Sequence, residues 1–338
     1  METIIVNASA AKSGGAREIL RAFLKNGIVS GNDYYVFCPY IEEFAGAPDN
    51  VIFKEVSTSG LKTFLFSILF VYYFVFLLKA SKVVSFNNVN CAFKSGIVTY
   101  FHQEKALNGS GLRYLLIRLG VRLSKRGRFI VQSDRVKREL ARKIGVDEKK
   151  IEVLWPGVRR LPSYTRFEAL KIIDKQHVQD VLQKISHRDI AIFPVYDPHA
   201  THKDFDFIKR IKCALNSVGI VTVSLCPKGS NIADLDLGEV APHELDAIYT
   251  LCKYMVISSK FETLCLPMFE FAQTGRLILA RRADFIDDFV NRYPGWLCNL
   301  KLLDSSFDVD KVLTLLDEAK RPLSQSEIDL MCRGEWTL

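Results

Sequence analysis

Two carboxylates, Glu262 and Glu270, stand eight positions apart in Ser258-Ser259-Lys260-Phe261-Glu262-Thr263-Leu264-Cys265-Leu266-Pro267-Met268-Phe269-Glu270-Phe271-Ala272-Gln273-Thr274-Gly275. The apolar run before them, Tyr254-Met255-Val256-Ile257, reads as a strand, and a helix is expected to open near Leu264. A strand-to-helix turn leaves backbone N–H groups unpaired beside the positive end of a helix dipole, which suits an anion. Glu270, about two turns into that helix, reaches beyond such an anion. Its carboxylate accepts two hydrogen bonds and so can grip vicinal sugar hydroxyls.

Other chemistries fit less well. The pairs Asp204/Asp206, Asp234/Asp236 and Asp308/Asp310 have the spacing to hold a divalent ion against a diphosphate. Asp204 and Asp206, however, open a helix whose apolar positions are Phe205, Ile208, Ile211 and Leu215, where acids favour the dipole. The other two pairs lie in turn-like stretches, so no metal is expected. The eight cysteines are scattered, without a C-x-x-C pair or a histidine at ligand spacing, which argues against a zinc site or a disulfide framework. Reduced thiols in a cytosolic setting are expected. A dinucleotide dehydrogenase is excluded: the first loop lacks G-x-G-x-x-G, and no acid ends a suitable second strand.

The elements that must position these residues alternate between strand and helix. Thr3-Ile4-Ile5-Val6 reads as a strand, Ala11-Lys12-Ser13-Gly14-Gly15 as a glycine loop, and Ala16 to Lys25 as a helix. Strands are expected at 33–38, 83–86, 96–101, 129–132 and 151–154, then at 189–194, 220–225, 254–258 and 277–280. Residues 135–144 form a helix ending at Gly145. The alternation predicts parallel sheets covered on both faces. At roughly 150 residues per domain, 338 residues make two domains. They are placed at 1–160 and 189–325, with a linker or helix at 161–188 and a tail at 326–338.

The acidic segment resembles the E-x7-E motif of GT-B glycosyltransferases, in particular the retaining enzymes of family GT4, through Ser259, Glu262, Leu266, Pro267, Glu270 and Gly275. Further agreement, over about residues 1–320, comes from Ile130-Val131-Gln132-Ser133, Lys150 to Val158, Ile192-Phe193-Pro194, and His202-Lys203-Asp204-Phe205. The resemblance implies an α/β GT-B fold, two Rossmann-like domains with a cleft between them, with the acceptor side in the first and the donor in the second. It implies a retaining, metal-independent hexosyltransferase of the bacterial surface-polysaccharide type (lipopolysaccharide, O-antigen or capsule) that uses a nucleotide sugar and needs no cofactor. Glu270 would hold the ribose. Glu262 would contact the donor sugar with main-chain N–H groups of Leu264, Cys265 and Leu266. Lys203, with His202 beside it, would meet the diphosphate, Gly14 and Gly15 would approach it, and His102 would contact the donor sugar. The sequence departs from the motif at Thr263 and Cys265, where the family usually has glycine, which implies a narrower or differently shaped sugar pocket. It also lacks the usual arginine before Lys203, whose work His199, Thr201 or His202 would share, or whose charge would come from elsewhere. Relatives often continue past a point like Trp336-Thr337-Leu338 into a final helix returning to the first domain. These departures keep a second reading open, a non-catalytic nucleotide-sugar-binding or scaffold protein of a membrane glycan complex.

Charge placement suggests the partner. The chain carries 46 Lys/Arg against 38 Asp/Glu, yet residues 112–150 hold 13 Lys/Arg and four acids, so that segment is +9 and the remainder −1. On a helix, Leu112, Leu116, Leu119 and Leu123 fall on one arc and Arg118, Arg122, Lys125 and Arg126 on the next. Phe64 to Leu78, including Phe70, Tyr72 and Tyr73, is nearly unbroken apolar sequence. As a helix it spans ~22 Å, short of the ~30 Å of a hydrocarbon core. It reads as a buried helix, an interfacial helix or a span. Basic and apolar surfaces together favour an anionic membrane surface over nucleic acid, for which no binding module is present. The first residues lack the pattern of a signal peptide. The expected place is cytoplasmic, peripheral on the inner face of the cytoplasmic membrane, acting on a glycan or lipid-linked glycan acceptor.

Overall fold

The computed structural model describes residues 1–12, 14–44, 47–92, 96–103, 105–318 and 320–336. Ser13 of the expected glycine loop and Thr337 and Leu338 at the end lie outside the described residues. The chain forms two units, Met1–Arg159 with Cys332–Leu338, and Arg160–Met331.

In the first unit, β1 (Thr3–Asn7), β2 (Asp33–Cys38), β3 (Val51–Glu55), β4 (Lys82–Ser85), β5 (Ile97–Tyr100), β6 (Arg128–Val131) and β7 (Ile151–Val153) form one sheet, ordered β3-β2-β1-β4-β5-β6-β7. Every pairing described is parallel. The central strands are runs of Val and Ile buried on both faces, as parallel strands between helical layers must be. β3 was not anticipated because its sequence, VIFKE, mixes apolar and charged residues, as suits an edge strand.

One face of this sheet carries Ile4, Val6, Val36, Val84 and Ile130, covered by Ile19, Leu20 and Phe23 of the helix Gly14–Asn26. The other face carries Ile5, Phe37 and Val83, covered by Val71 and Val75, and Phe101, Phe129 and Val131, covered by Val121, Val136 and Leu140. Gly14 and Gly15, expected in a loop, instead open the first helix. Gly14 takes φ 62°, a conformation open to glycine, and both are exposed.

The long apolar segment is a continuous helical run: Leu61–Leu65, one π-helical turn Phe66–Phe70, and Val71–Leu77. Ser67, Ile68, Val71 and Val75 face the sheet, while Phe70, Tyr72, Tyr73 and Phe76 are exposed. The run is thus half-buried, and among the described residues no helix is long and apolar enough to cross a membrane.

The second unit repeats the plan with β8 (Ile190–Phe193), β9 (Val221–Ser224), β10 (Leu235–Asp236), β11 (Tyr254–Ile257), β12 (Leu277–Arg281) and β13 (Leu300–Leu303), ordered β10-β9-β8-β11-β12-β13. Chain order reverses between β8 and β11, the position where sheets of this topology bind ligands beyond their carboxyl ends. The polar stretch read as a linker or helix contains two helices, Arg166–Ile172, with a Thr165/Glu168 capping box, and Gln176–Lys184. A last helix, Gln325–Arg333, precedes residues that rejoin the first unit. There Trp336 packs on Phe23, Phe86 and Tyr100 and donates its indole N–H to the Pro156 carbonyl at 3.0 Å.

Candidate functional site

The loops after β8 and β11 flank the reversal point of the second sheet. They are laced together by their backbones: Asp204 N–H donates to the Ser258 carbonyl at 2.9 Å and Lys260 N–H to the His202 carbonyl at 2.8 Å. A bridge pairs Lys203 with Ser259. This lacing brings together side chains from two distant motifs. Lys203 Nζ donates to Ser259 Oγ at 2.6 Å and to Glu262 Oε1 at 2.8 Å, and Ser259 Oγ donates to the same carboxylate oxygen at 3.0 Å. His202 Nε2 stands 3.5 Å from Glu262 Oε1. Glu262 thus meets an ammonium, a hydroxyl and an imidazole at one oxygen.

Burial alone pushes the Glu262 carboxyl upward. The His202 hydrogen bond and the charge and hydrogen bond of Lys203 outweigh it, and the group is held down at about 2. The pair is only partly covered, with 13% of the Lys203 side chain and 23% of the Glu262 side chain exposed, so a ligand can reach both.

The helix expected from Leu264 begins two residues later and runs Leu266–Ala272, with Cys265 at its N-cap and a proline in its first turn. Leu264 lies before it, partly exposed, and Leu266 is its first residue. Glu270 is buried on this helix. Cys265 is buried as well, and burial, reinforced by the Glu262 charge, pushes its thiol up to about 12, so it stays neutral. The glycine closing the motif has a steric reason. Gly275 takes φ 67°, and a Cβ there would stand 2.9 Å from Pro322 Cα.

One ion pair at this end of the sheet is not apparent from the sequence. Asp204 caps the helix Phe205–Ser217 through Phe207 N–H, and its other oxygen accepts from Arg281 Nε at 2.7 Å. Arg281 ends β12, just past an apolar strand run, which marks its place at the carboxyl end of the sheet but not its partner. It brings a further cation to this end of the sheet. Three members of the remaining aspartate pairs are engaged structurally. Asp234 accepts from Thr222 and Asn216, Asp236 from Ser224, and Asp308 caps the helix Val309–Asp317. Among the described residues no group of three or more His, Cys, Asp or Glu is arranged to hold a metal ion.

His102 and the Gly14-Gly15 pair belong to the first unit. His102 follows β5; its backbone N–H donates to Asn88 Oδ1 at 2.8 Å and its Nε2 lies 3.5 Å from Asn88 Nδ2. Burial of the ring lowers its pKa to about 4, against a hydrogen bond with the Tyr100 backbone, so the imidazole is neutral near pH 7. Of the residues expected at a membrane, Phe70, Tyr72 and Tyr73 are exposed, as are Arg122, Lys125 and Arg126. Two differ from expectation. Phe64 is partly covered, with its ring edge 3.4 Å from where a Cβ on Gly120 would stand. Arg118 turns inward to donate to the carbonyls of Ala106 and Gly109 at 3.1 and 2.8 Å.

No known family model matches the sequence, and no curated protein matches it. Solved structures do match its fold. WaaG, a glycosyltransferase involved in lipopolysaccharide biosynthesis, is similar with a TM-score of 0.66 at 11% identity, over 98% of this chain and 94% of that one. The catalytic domain of starch synthase IV from Arabidopsis thaliana, bound to ADP and acarbose, is similar with a TM-score of 0.63 at 9% identity, over 98% and 94%. Anabaena Alr3699/HepE, in complex with UDP and glucose, is similar with a TM-score of 0.62 at 12% identity, over 94% and 90%. At these identities the likeness establishes the fold, the two-domain α/β architecture of GT-B glycosyltransferases.

Proposed function

We propose that this chain is a glycosyltransferase that moves a sugar, with retention, from a nucleotide diphosphate sugar to a hydroxyl of a glycan acceptor. The observation that carries the reading is the junction of Lys203, Ser259 and Glu262 at the carboxyl ends of β8 and β11, with Glu270 buried on the helix that follows. This is where a doubly wound sheet binds a nucleotide. The junction supplies a cation for a diphosphate and carboxylates for sugar and ribose hydroxyls.

In the reaction the bond between the sugar's anomeric carbon and the diphosphate oxygen breaks. The acceptor oxygen bonds that carbon on the same face, and the acceptor's proton passes to the departing phosphate. Lys203 exchanges its Glu262 partner for the diphosphate and neutralises charge as it builds there, a contribution of about 10²- to 10³-fold in rate for one well-placed group. Glu262, released, accepts hydrogen bonds from the sugar, and Glu270 accepts from the ribose. The reading takes Lys203 as the source of positive charge at the diphosphate and assigns no role to a metal ion. The roles of His102, Gly14, Gly15 and the main-chain N–H groups of Leu264 to Leu266 rest on the GT4 resemblance, as does a part in surface-polysaccharide synthesis, whereas a lipid-linked acceptor and a place on the inner face of the cytoplasmic membrane rest on the apolar run and the basic segment of the sequence.

A second reading, a nucleotide-sugar-binding protein without turnover, draws on Thr263 and Cys265 standing where GT4 enzymes usually have glycine. The two are separated by incubating the protein with UDP-, GDP- and ADP-linked sugars and following nucleotide release. Release that disappears in Glu262→Ala supports transfer. Release that is unchanged in that variant contradicts it, and tight binding without release leaves the second reading.

A further inference from the structure

We propose that the outer face of the Leu61–Leu77 run and the Leu112–Leu123 helix docks on an anionic lipid bilayer, with both helices lying along its surface. The two are neighbours in one layer. Val71 and Val75 of the first and Val121 of the second cover the same face of the sheet, the one carrying Ile5, Phe37, Phe101 and Phe129. They meet where the Phe64 ring lies over Gly120, a position with no room for a side chain because a Cβ would stand 2.5 Å from Val89. Their opposite faces therefore both point away from the sheet.

Those outward faces are apolar in stripes. Leu65, Leu69, Tyr72, Tyr73 and Phe76 repeat at helical spacing on one, with Phe76 84% exposed. Leu112, Leu115, Leu119 and Leu123 do so on the other, with Leu112 69% exposed. Contiguous stripes of this kind on a folded unit are the mark of a docking surface rather than of scattered surface residues. The π-helical turn fixes how the first stripe is presented. It turns Ser67 and Ile68 inward together, and Ser67 Oγ accepts from Asn7 Nδ2 at 2.9 Å, tying the run's lone buried hydroxyl to the end of β1. The helix is thus held flat, with one side bonded to the protein and the other free for lipid.

Charge selects the occupant. From Val56 to Ser133 the sequence holds 11 Lys/Arg and a single acid, Glu104. Lys62 and Lys79 flank the first stripe, and Arg122, Lys125 and Arg126 close the second, all exposed. Tyrosines and lysines at the edge of an apolar stripe match the headgroup level of a bilayer, with the ring or stem in the acyl boundary and the polar tip in water. A cationic rim without acids is attracted by anionic headgroups. A second copy of this chain would instead set that rim against itself, and nucleic acid would leave the leucine and aromatic stripes unpaired.

The inference does not depend on the transferase reading, because docking is measured without donor or acceptor. The test is flotation of the full chain with phosphatidylcholine vesicles and with vesicles in which roughly a third of the lipid is phosphatidylglycerol. The expected result is binding to the anionic vesicles at least about tenfold stronger than to the neutral ones. A similar loss is expected in F70S/Y73S/F76S and in R122S/R126S, with circular dichroism unchanged because all five side chains are exposed. The proposal is overturned if the wild type fails to float with anionic vesicles, if either variant floats as the wild type does, or if the wild type self-associates through this face and ignores vesicles.

Discussion

Lys203 Nζ stands 2.8 Å from Glu262 Oε1, although 59 residues separate them and each follows a different strand. Neither residue is strained or exotic; what is unusual is that a cation suited to phosphate and a carboxylate suited to sugar hydroxyls satisfy one another. Replacing Lys203 with methionine keeps most of the side-chain volume and removes the charge. Transfer is expected to fall by about 10²-fold or more, since the leaving diphosphate loses its counter-charge. Nucleotide release measured under saturating donor checks this.

The same contact sets a dependence on acid. Glu262 lies at about 2 in the folded chain against an ordinary value of 4.5, so its contribution to stability is complete above pH 4.5 and is lost as pH falls through about 2. The size is on the order of 3 kcal/mol. Urea unfolding of wild type and Glu262→Gln, compared between neutral and acid pH, should show the wild-type advantage shrinking in that window. In a Lys203→Met background burial is left with less to oppose it, and the carboxyl should rise.

His102 behaves in the opposite chemical sense and with the same pH trend. Burial lowers its pKa to about 4 from 6.5, so the folded chain binds fewer protons than the unfolded chain between those values. Acidification from pH 6.5 to 4 therefore destabilises the first unit through this residue, whereas nothing is lost above pH 6.5. Imidazole carbon-bound proton shifts followed by NMR should stay at their neutral values down to about pH 5 in the native protein.

Much of this was legible in the sequence, for physical reasons that also mark where legibility stops. The Val/Ile runs of β1, β4, β8 and β11 announce buried parallel strands, and Glu262, Glu270 and Gly275 announce the turn and helix between them. Short edge strands such as β3 and β10 carry no such run, because only a covered strand must be apolar throughout. Helix starts were legible only to within two residues: Pro267 and the Cys265 cap set the start at Leu266. Long-range pairings were invisible. Nothing local tells that Lys203 reaches Glu262, that Asp204 holds Arg281, or that Arg118 turns inward. Nor does the π-helical turn announce itself, since FLFSILFVYYFVFLL has no polar period to read except Ser67.

Two structural positions offer stability tests. Gly275→Ala places a Cβ 2.9 Å from the Pro322 backbone in a left-handed conformation, and should cost about 1–3 kcal/mol. Trp336→Ala empties the space against Phe23, Phe86 and Tyr100 and leaves the Pro156 carbonyl without its indole donor, at about 2–4 kcal/mol. Denaturant midpoints check both, with the first effect in the second unit and the other in the first.

Cys265 provides a chemical probe of the site. Burial and the neighbouring carboxylate hold its thiol at about 12, while Cys213 lies exposed on another helix of the same unit. Iodoacetamide at mildly alkaline pH should modify Cys213 and spare Cys265 in the native chain, and modify both in urea, as read by peptide mass spectrometry.

The central claim is that the junction of Lys203 and Glu262, with Glu270 beyond it, receives a nucleoside diphosphate. The direct measurement is the melting temperature of the second unit with UDP, GDP, ADP and CMP, in wild type, Lys203→Met and Glu270→Gln. A ligand present at a hundred times its Kd stabilises by about 2.7 kcal/mol, which is several degrees for a unit of this size. The account predicts that one diphosphate raises the wild-type value by that much and that both substitutions abolish the rise. No rise with any of the four, or a rise that survives both substitutions, would contradict it.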